Sequence, residues 1–299
     1  MIWNTKINQM LNITYPLVMG AFGGWGKAEF ASHFSNAGGL GVIAVLNFPD
    51  PEDFKADLKL MKDLTNKPFG VNLSLPHHKF NDLSSRKKME KRYLNYVEIA
   101  LNEGCNIFTT SGYKAGFIGD RVHEADAYWI HKCVLLKHAL STEKQGADAV
   151  SIVGLEGTGF KSPYTTTTLV NITMAKKLLE IPVIAAGGIG EGRGFLSALF
   201  MGAEAVCLGT ALMATEECPV PRKIKEKWLK LDIFDEEFYK TIYHYNTKNF
   251  MAPSTAIGHH QKILTVKELI EQIISQAENI LDCWGFQNQK FSTLEDSSN

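Results

Sequence analysis

The chain has 299 residues, of which 45% are hydrophobic and 21% charged, and its formal net charge is −1 at pH 7. This balance is ordinary for a soluble globular protein and lacks the basic stripe of a nucleic-acid binder. No apolar run approaches the ~20 residues of a membrane-spanning helix, and the first residues show no secretory signal pattern. The five cysteines lack metal-type spacing, and Cys133 and Cys207 lie in apolar runs typical of core positions. We therefore expect a cytoplasmic protein that binds neither nucleic acid, nor a membrane, nor a metal.

Short apolar runs alternate along the chain with longer segments of helical pattern. The runs are Pro16–Gly20, Leu40–Leu46, Phe69–Leu75, Asn106–Gly112, Tyr128–Val134, Ala149–Leu155, Pro182–Gly188 and Ala205–Leu212. Most are nearly continuous in aliphatic residues, which suits parallel strands buried on both faces. Helices are predicted over Ala28–Asn36, from Pro51 onward, and over Arg86–Asn102, Lys137–Gln145, Thr168–Leu179 and Arg193–Met201. Eight strand-then-helix units favour an α/β fold of the (β/α)8 TIM-barrel type over an open doubly wound sheet.

The pattern changes after Leu212. Prolines and aromatic residues mark a loop and helical region, and the last amphipathic helix is predicted over Val266–Trp284. We predict a single domain over residues 1–299, with the barrel at about 12–215 and a small helical C-terminal extension at about 216–286. The tail at 287–299 is polar, and we expect it to be frayed.

Functional sites of such barrels lie at the carboxyl ends of the strands. Strand seven ends in a glycine-rich loop that contains Gly187 and Gly188, and strand eight ends at Gly209 and Thr210. Glycine lets backbone N–H groups approach phosphate oxygens, and Thr210 adds a hydroxyl donor. These residues predict a phosphate site between the two loops, although glycines also simply end strands.

Three further strand ends carry residues that suit a ligand. Gly157 and Gly159 after strand six indicate backbone packed against a flat ligand, or else a flexible loop. Lys132 in strand five is costly to bury unpaired, so it faces a ligand or reaches water. Asn72 in strand three needs hydrogen-bond partners, which a ligand or the core itself could supply.

The first strand ends with a segment that suits contact with a flat group. The backbone of Met19, Gly20 and Ala21 can lie along such a ligand, which places Phe22 near the substrate. In strand five, His131 adjoins Lys132, but neighbours on a strand point to opposite faces. We therefore do not expect His131 in the pocket if Lys132 faces it.

Together these segments resemble the nitronate monooxygenase family, formerly called 2-nitropropane dioxygenases, from about Tyr15 to Ala277. The resemblance is carried by Tyr15-Pro16-Leu17, Ser35–Gly41, Lys67–Asn72, His131-Lys132-Cys133, Gly146–Ala149, Ala185–Gly188 and Gly209-Thr210. The related FMN-dependent enoyl-thioester reductases share this framework. The resemblance implies a (β/α)8 barrel with a small helical extension and FMN bound without a covalent link.

The resemblance also assigns cofactor contacts. It implies that Asn72 and Lys132 contact the flavin, where Lys132 would stabilise negative charge near N1 and the C2 carbonyl. The residues that would surround the phosphate are Gly157, Gly159, Gly187, Gly188, Gly209 and Thr210. Met19, Gly20 and Ala21 complete the predicted cofactor set.

One departure from the family concerns the catalytic base. Family members carry a Gly-Gly-His motif after strand six, whereas this chain has Thr158-Gly159-Phe160. Phenylalanine cannot take a proton, and a general base contributes roughly 10²–10⁴-fold to such reactions. We therefore assign no catalytic residue, and we place Phe160 and Tyr164, with Phe22, at the substrate.

Three functions follow as hypotheses. The leading one is an FMN-dependent oxidoreductase that oxidises alkyl nitronates with O2 and accepts only preformed anions. The alternative is an FMN-dependent reductase of activated double bonds, of the enoyl-thioester type, that uses NAD(P)H. The third is a barrel that binds a phosphorylated ligand without redox chemistry. A homodimer is left open.

Overall fold

The structure, a computed structural model, describes residues 2–76, 82–112, 114–159, 164, 166–243, 253–286 and 290–293. Ten strands occur in this part of the chain. In chain order, β1 to β10 are Ile2–Asn4, Leu17–Met19, Gly41–Ala44, Phe69–Ser74, Ile107–Ser111, Tyr128–Cys133, Ala149–Val153, Val183–Ala186, Ala205–Leu208 and Lys290–Ser292. Strands β2 to β9 form one parallel sheet in the order β2-β9-β8-β7-β6-β5-β4-β3.

The outer strands of this sheet meet each other. Val18 and Leu40 form a parallel bridge, the Met19 N–H donates to the Leu40 carbonyl at 2.9 Å, and the Leu40 N–H donates to Leu17 at 2.9 Å. The sheet is thereby joined into a barrel, as predicted. Each predicted barrel strand is present, and all but the last agree with the prediction to within two residues at each end.

Twelve α-helices occur in the described ranges. In chain order, α1 to α12 are Lys6–Leu11, Ala28–Asn36, Pro51–Leu64, Leu83–Asn102, Gly116–His123, Leu136–Glu143, Thr168–Leu178, Gly192–Phe200, Thr210–Met213, Arg222–Trp228, Glu236–Tyr243 and Val266–Cys283. Helices α2 to α8 lie in the connections between successive barrel strands. Helix α3 starts as the sequence predicts, because Asp50 accepts from the Glu52 N–H at 2.9 Å and Pro51 occupies the first turn.

The predicted eighth strand, Ala205–Leu212, is too long. Strand β9 ends at Leu208, and helix α9 begins at Thr210. An apolar run does not by itself distinguish a buried strand from a buried helix, and both pieces are buried here. Gly209 marks the change from one to the other.

The C-terminal extension packs on the outside of the barrel. Thr265 and Glu268 form a capping box at the start of α12, whose buried face contacts α8 and α2. The expectation of a frayed tail is wrong for β10, which pairs in parallel with β1, and the Thr293 N–H continues this pairing to the Asn4 carbonyl at 3.3 Å. None of the helices in the described residues is long and apolar enough to cross a membrane.

Candidate active site

A cavity of about 740 Å³ opens at the carboxyl ends of the barrel strands. Its volume falls within the roughly 300–1,000 Å³ usual for ligand sites. The predicted cofactor residues that line it are Met19, Gly20, Ala21, Asn72, Lys132, Gly157, Gly159, Gly187, Gly188, Gly209 and Thr210. The structure thus brings the whole predicted set together, while their binding of a cofactor stays a prediction.

The three predicted substrate residues differ in their position relative to the cavity. Phe22 lines the cavity. Tyr164 is 61% exposed and does not line the cavity, so the structure does not bring it to the other site residues. Phe160 lies outside the described residues.

The glycines of two loops define one end of the cavity. Gly187 and Gly188 have φ angles of +104° and +75°, which favour glycine. A Cβ on Gly187 would lie 2.9 Å from the Gly157 nitrogen, so the loops after β7 and β8 approach each other closely. Gly209 is different: its φ is −113°, and a Cβ there would meet no atom within 4 Å. Protein packing therefore does not require glycine at 209, and the open space belongs to the cavity.

Thr210 connects this end of the cavity to the C-terminal extension. Its Oγ1 accepts the Ser254 backbone N–H at 2.9 Å, and both residues line the cavity. The hydroxyl proton of Thr210 meets no acceptor within the described part of the chain, so it is available to a ligand oxygen. Sequence reasoning missed Ser254, because nothing in the sequence places the extension beside strand eight.

The amino end of α8 is the other place where a barrel of this type could hold a phosphate. The Gly194 N–H donates to Glu191 Oε1 at 2.7 Å, and the Gly192 N–H donates to Gln276 Oε1 at 2.9 Å. Side chains of the protein therefore already satisfy these amides. Neither glycine lines the cavity, so the amino end of α8 offers these amides to no ligand there.

Glu156 fixes the loop that follows β7. Its Oε2 accepts the Thr168 N–H at 2.8 Å and the Thr168 hydroxyl at 2.9 Å, which caps helix α7. Its backbone carbonyl accepts the Thr255 hydroxyl at 3.3 Å. The segment next to Gly157 is thus tied to both the barrel and the extension, which argues against a merely flexible loop there.

Lys132 faces the cavity from β6 and is partly buried. It has no hydrogen bond or ion pair among the residues that the structure describes. Desolvation by burial lowers the pKa of its ammonium group, with a smaller opposing effect from Cys207. An uncompensated positive charge in a cavity favours an anionic or electron-rich ligand, so Lys132 suits the predicted ligand contact.

His131 points away from the cavity, as the alternation along the strand predicts. It is 6% exposed, and its Nδ1 lies 2.7 Å from Thr110 Oγ1, which also accepts the Trp129 indole N–H at 2.7 Å. Burial lowers the pKa of His131 to about 4, so the imidazole is neutral at pH 7. It is a structural residue and offers no base to the cavity.

A row of polar side chains on β4 and β5 also lines the cavity, and only Asn72 of this row was predicted. The Asn72 Nδ2 donates to Thr109 Oγ1 at 2.9 Å, Ser74 donates to Asn72 Oδ1 at 2.8 Å, and Ser111 donates to Ser74 at 3.1 Å. Ser74 and Ser111 are the last residues of their strands. A polar residue at the end of an apolar run was the signal that identified Asn72, and it applies equally to both serines.

Cys207 also faces the cavity, which corrects its interpretation as a core residue. It is partly buried and lines the cavity, whereas Cys133 is fully buried as predicted. Burial raises the pKa of Cys207 to about 11, so its thiol is neutral at pH 7. Lys132 and Cys207 are the titratable side chains that the described part of the chain contributes to the cavity lining, and no carboxylate or imidazole joins them.

Asn47 holds the loop after β2 against the cavity mouth. Its Nδ2 donates to the carbonyls of Phe22 and Gly26, each at 3.0 Å, and its Oδ1 accepts the Gly24 N–H at 2.5 Å. The loop presents Phe22 and Trp25, whose ring centroids lie 6.5 Å apart, to the cavity. Asn47 could not be identified from the sequence, because its partners are backbone groups more than 20 positions away.

Comparison with known proteins agrees with this geometry. The family model for nitronate monooxygenase matches residues 4–246. The probable nitronate monooxygenase of Staphylococcus haemolyticus is 29% identical, over 76% of this chain and 72% of that protein. FabK from Thermotoga maritima has a TM-score of 0.78 and 26% identity, over 95% of this chain and 99% of its own.

A third relative is longer than this chain. The (3aS,4S,5R,7aS)-5-hydroxy-7a-methyl-1-oxo-octahydro-1H-indene-4-carboxyl-CoA dehydrogenase of Mycobacterium tuberculosis is 32% identical over 227 residues. That match covers 76% of this chain but only 60% of the relative. The named relatives include a dehydrogenase and a monooxygenase, which are both oxidoreductases. From the family match and the barrel geometry together, the chain belongs to the nitronate monooxygenase family.

Proposed function

We propose that this protein is an FMN-dependent oxidoreductase that oxidises alkyl nitronates with O2. The observation that carries the proposal is one cavity with two complementary ends. Open space beside Gly209 and Thr210 suits a phosphate, and the uncompensated Lys132 suits an electron-rich ring. FMN combines a phosphate with such a ring.

The residues present fit FMN. A Cβ on Gly209 would meet no protein atom, which leaves room for a phosphate, and Thr210 offers a hydroxyl proton. The backbone of Met19 to Ala21 lines the same cavity. When bound, FMN would supply the electron-accepting ring through which O2 oxidises the nitronate. Lys132 would stabilise negative charge on that ring.

The lining residues suit a substrate that is already an anion. The described part of the cavity has no imidazole or carboxylate to remove a carbon proton, and Phe160 replaces the histidine of the family motif. A preformed nitronate needs no such base. Phe22 and Trp25 offer an apolar wall for its alkyl group and limit the access of water.

A second candidate is a reductase of activated double bonds that uses NAD(P)H. Two observations favour it: a relative at 32% identity is named for a coenzyme A thioester, and hydride transfer from a flavin needs no histidine at position 160. The cavity described above serves either reaction, because both place the substrate against the same ring.

Anaerobic reduction of the purified protein separates the candidates. Our proposal predicts a flavin spectrum that bleaches with propyl-2-nitronate and recovers with O2. Bleaching by NADH or NADPH, with recovery on addition of an enoyl thioester and no response to nitronate, would favour the reductase. A colourless protein that binds a sugar phosphate would refute both.

A further inference from the structure

The hydrogen bonds within the polar row on β4 and β5 have defined donors and acceptors. Asn72 Nδ2 lies 3.4 Å from the Thr109 carbonyl oxygen and 2.9 Å from its Oγ1. A carbonyl oxygen only accepts, so this contact fixes which end of the Asn72 amide is Nδ2. The Oδ1 then faces Ser74, whose hydroxyl lies 2.8 Å away.

This orientation determines where the serine protons go. An amide oxygen cannot donate, so the single proton of Ser74 is committed to Asn72 Oδ1. In the 3.1 Å contact between the two serines, Ser111 must therefore be the donor. With its proton committed to Ser74, Ser111 Oγ offers only lone pairs to the cavity.

Ser111 stands beside the cavity lysine. The strand register pairs Ser111 of β5 with Lys132 of β6, and both side chains line the cavity. A lysine ammonium can only donate. The two neighbouring strands, about 4.8 Å apart, thus present an acceptor and a donor side by side. Ser151 is the register partner of Lys132 on β7. Its hydroxyl can donate or accept a hydrogen bond, so it does not select between a donor and an acceptor on the ligand.

The pyrimidine ring of a flavin has the complementary edge. Its N1 and C2 carbonyl accept hydrogen bonds, and the adjacent N3–H donates one. We infer that Ser111 binds the N3–H of the flavin ring, next to the contact of Lys132 with N1 and the C2 carbonyl. This inference rests on the proposed binding of FMN and assigns a cofactor-binding role to a residue outside the predicted set.

The inference is tested with FMN and N3-methyl-FMN, which lacks the N3 proton. The full-length protein is freed of flavin and titrated with each compound, and binding is followed by quenching of flavin fluorescence. The wild type should bind N3-methyl-FMN at least tenfold more weakly than FMN. Ser111→Ala should weaken FMN about tenfold, the loss expected for one hydrogen bond, and bring the two dissociation constants within about threefold of each other.

Matched variants make the result specific. Ser275→Ala removes an exposed hydroxyl on α12 that donates to the Gln272 carbonyl, outside the cavity, so it should keep the wild-type discrimination. Ser111→Thr retains the hydroxyl and should keep most of the discrimination between FMN and N3-methyl-FMN. Ser111→Cys replaces the hydroxyl with a thiol, which is a weak acceptor, so discrimination should fall there too. This variant preserves the test if Ser111→Ala does not fold.

Two failures are distinguishable. If the wild type binds no FMN, the proposed function fails. If the wild type binds FMN but Ser111→Ala and Ser111→Cys both discriminate against N3-methyl-FMN as strongly as the wild type, the assignment of Ser111 is wrong and the proposed function stands.

Discussion

Substitution of Gly209 by alanine tests the phosphate end of the cavity without disturbing the fold. A Cβ at this position meets no protein atom within 4 Å. The φ of −113° is negative, but the ψ of −90° lies outside the favoured α and β regions, so alanine costs about 1 kcal/mol of backbone strain there. Loss of glycine at the N-cap of the short helix α9 costs up to about 1 kcal/mol. The reduced freedom of the unfolded chain offsets about 0.4–1 kcal/mol of this. We therefore expect the Tm of the flavin-free protein to fall by no more than about 6 °C.

The effect on FMN should be much larger. The new methyl group occupies space that the phosphate needs, and displacement of the phosphate breaks at least one charge-assisted hydrogen bond worth about 1.5–3 kcal/mol. The dissociation constant of FMN should therefore rise by about 10- to 100-fold, since each 1.4 kcal/mol is a factor of ten. Fluorescence titration of the flavin-free protein measures this constant.

Gly194→Ala is the matched control. Gly194 lies in the first turn of α8, outside the cavity, and its added Cβ would make only an ordinary contact of 3.4 Å with Ile189. FMN affinity should be unchanged in this variant. Unchanged affinity in Gly209→Ala, or a large loss in Gly194→Ala, would show that the phosphate is held elsewhere and refute the reasoning.

Three further predictions follow. Asn47→Ala removes three hydrogen bonds from the loop after β2, so the KM for nitronate should rise several-fold and exchange of the Gly24 amide should accelerate. Asn36→Ala, which removes hydrogen bonds to Leu64 and Thr65 outside the cavity lining, should change neither the KM nor the amide exchange. Burial lowers the pKa of His131 and of His260 from 6.5 to about 4, so the unfolded chain binds protons first as the pH falls. The contribution of each histidine to the free energy of unfolding should be complete above pH 6.5 and should fall by about 2 kcal/mol by pH 5. Urea unfolding midpoints at the two pH values measure this change. Phe160→His supplies the missing base and should raise the rate with neutral 2-nitropropane roughly 10²–10⁴-fold.

Each of these has a contrary outcome. Equal KM values for the Asn47 and Asn36 variants would mean that the loop does not shape the substrate pocket. A urea midpoint that is the same at pH 7 and pH 5 would contradict the neutral, buried state of the two histidines. If Phe160→His does not raise the rate with 2-nitropropane, removal of the carbon proton is not the step that limits oxidation of the neutral substrate.

The barrel could be predicted because its signal is repeated eight times. Continuous aliphatic runs separated by helical segments leave few alternatives, and small errors at one strand do not affect the others. Strand eight shows the limit of this signal: from Ala205 to Met213 the chain is almost uniformly apolar, and only Gly209 marks the passage from strand to helix. Helix α5 was missed because its eight residues include two glycines, Gly116 and Gly119, which weaken a helical pattern.

The candidate site was predictable where function depends on residue type at a strand end. Lys132, Asn72 and the loop glycines stand out because their chemistry conflicts with an apolar strand or needs glycine. Asn47 and Ser254 could not be found this way. The Asn47 amide binds backbone groups of a distant segment, and the Ser254 backbone N–H donates to the hydroxyl of the distant Thr210. Local sequence carries no record of such tertiary hydrogen bonds.

The most direct test of the FMN site is the flavin content of the purified protein. The protein is saturated with FMN, desalted, and denatured, and the released flavin is identified by mass and counted per chain. The account predicts one FMN per chain, with visible absorption perturbed from that of free FMN. No retained flavin, or a flavin that Gly209→Ala and Lys132→Met retain as tightly as the wild type, would contradict it.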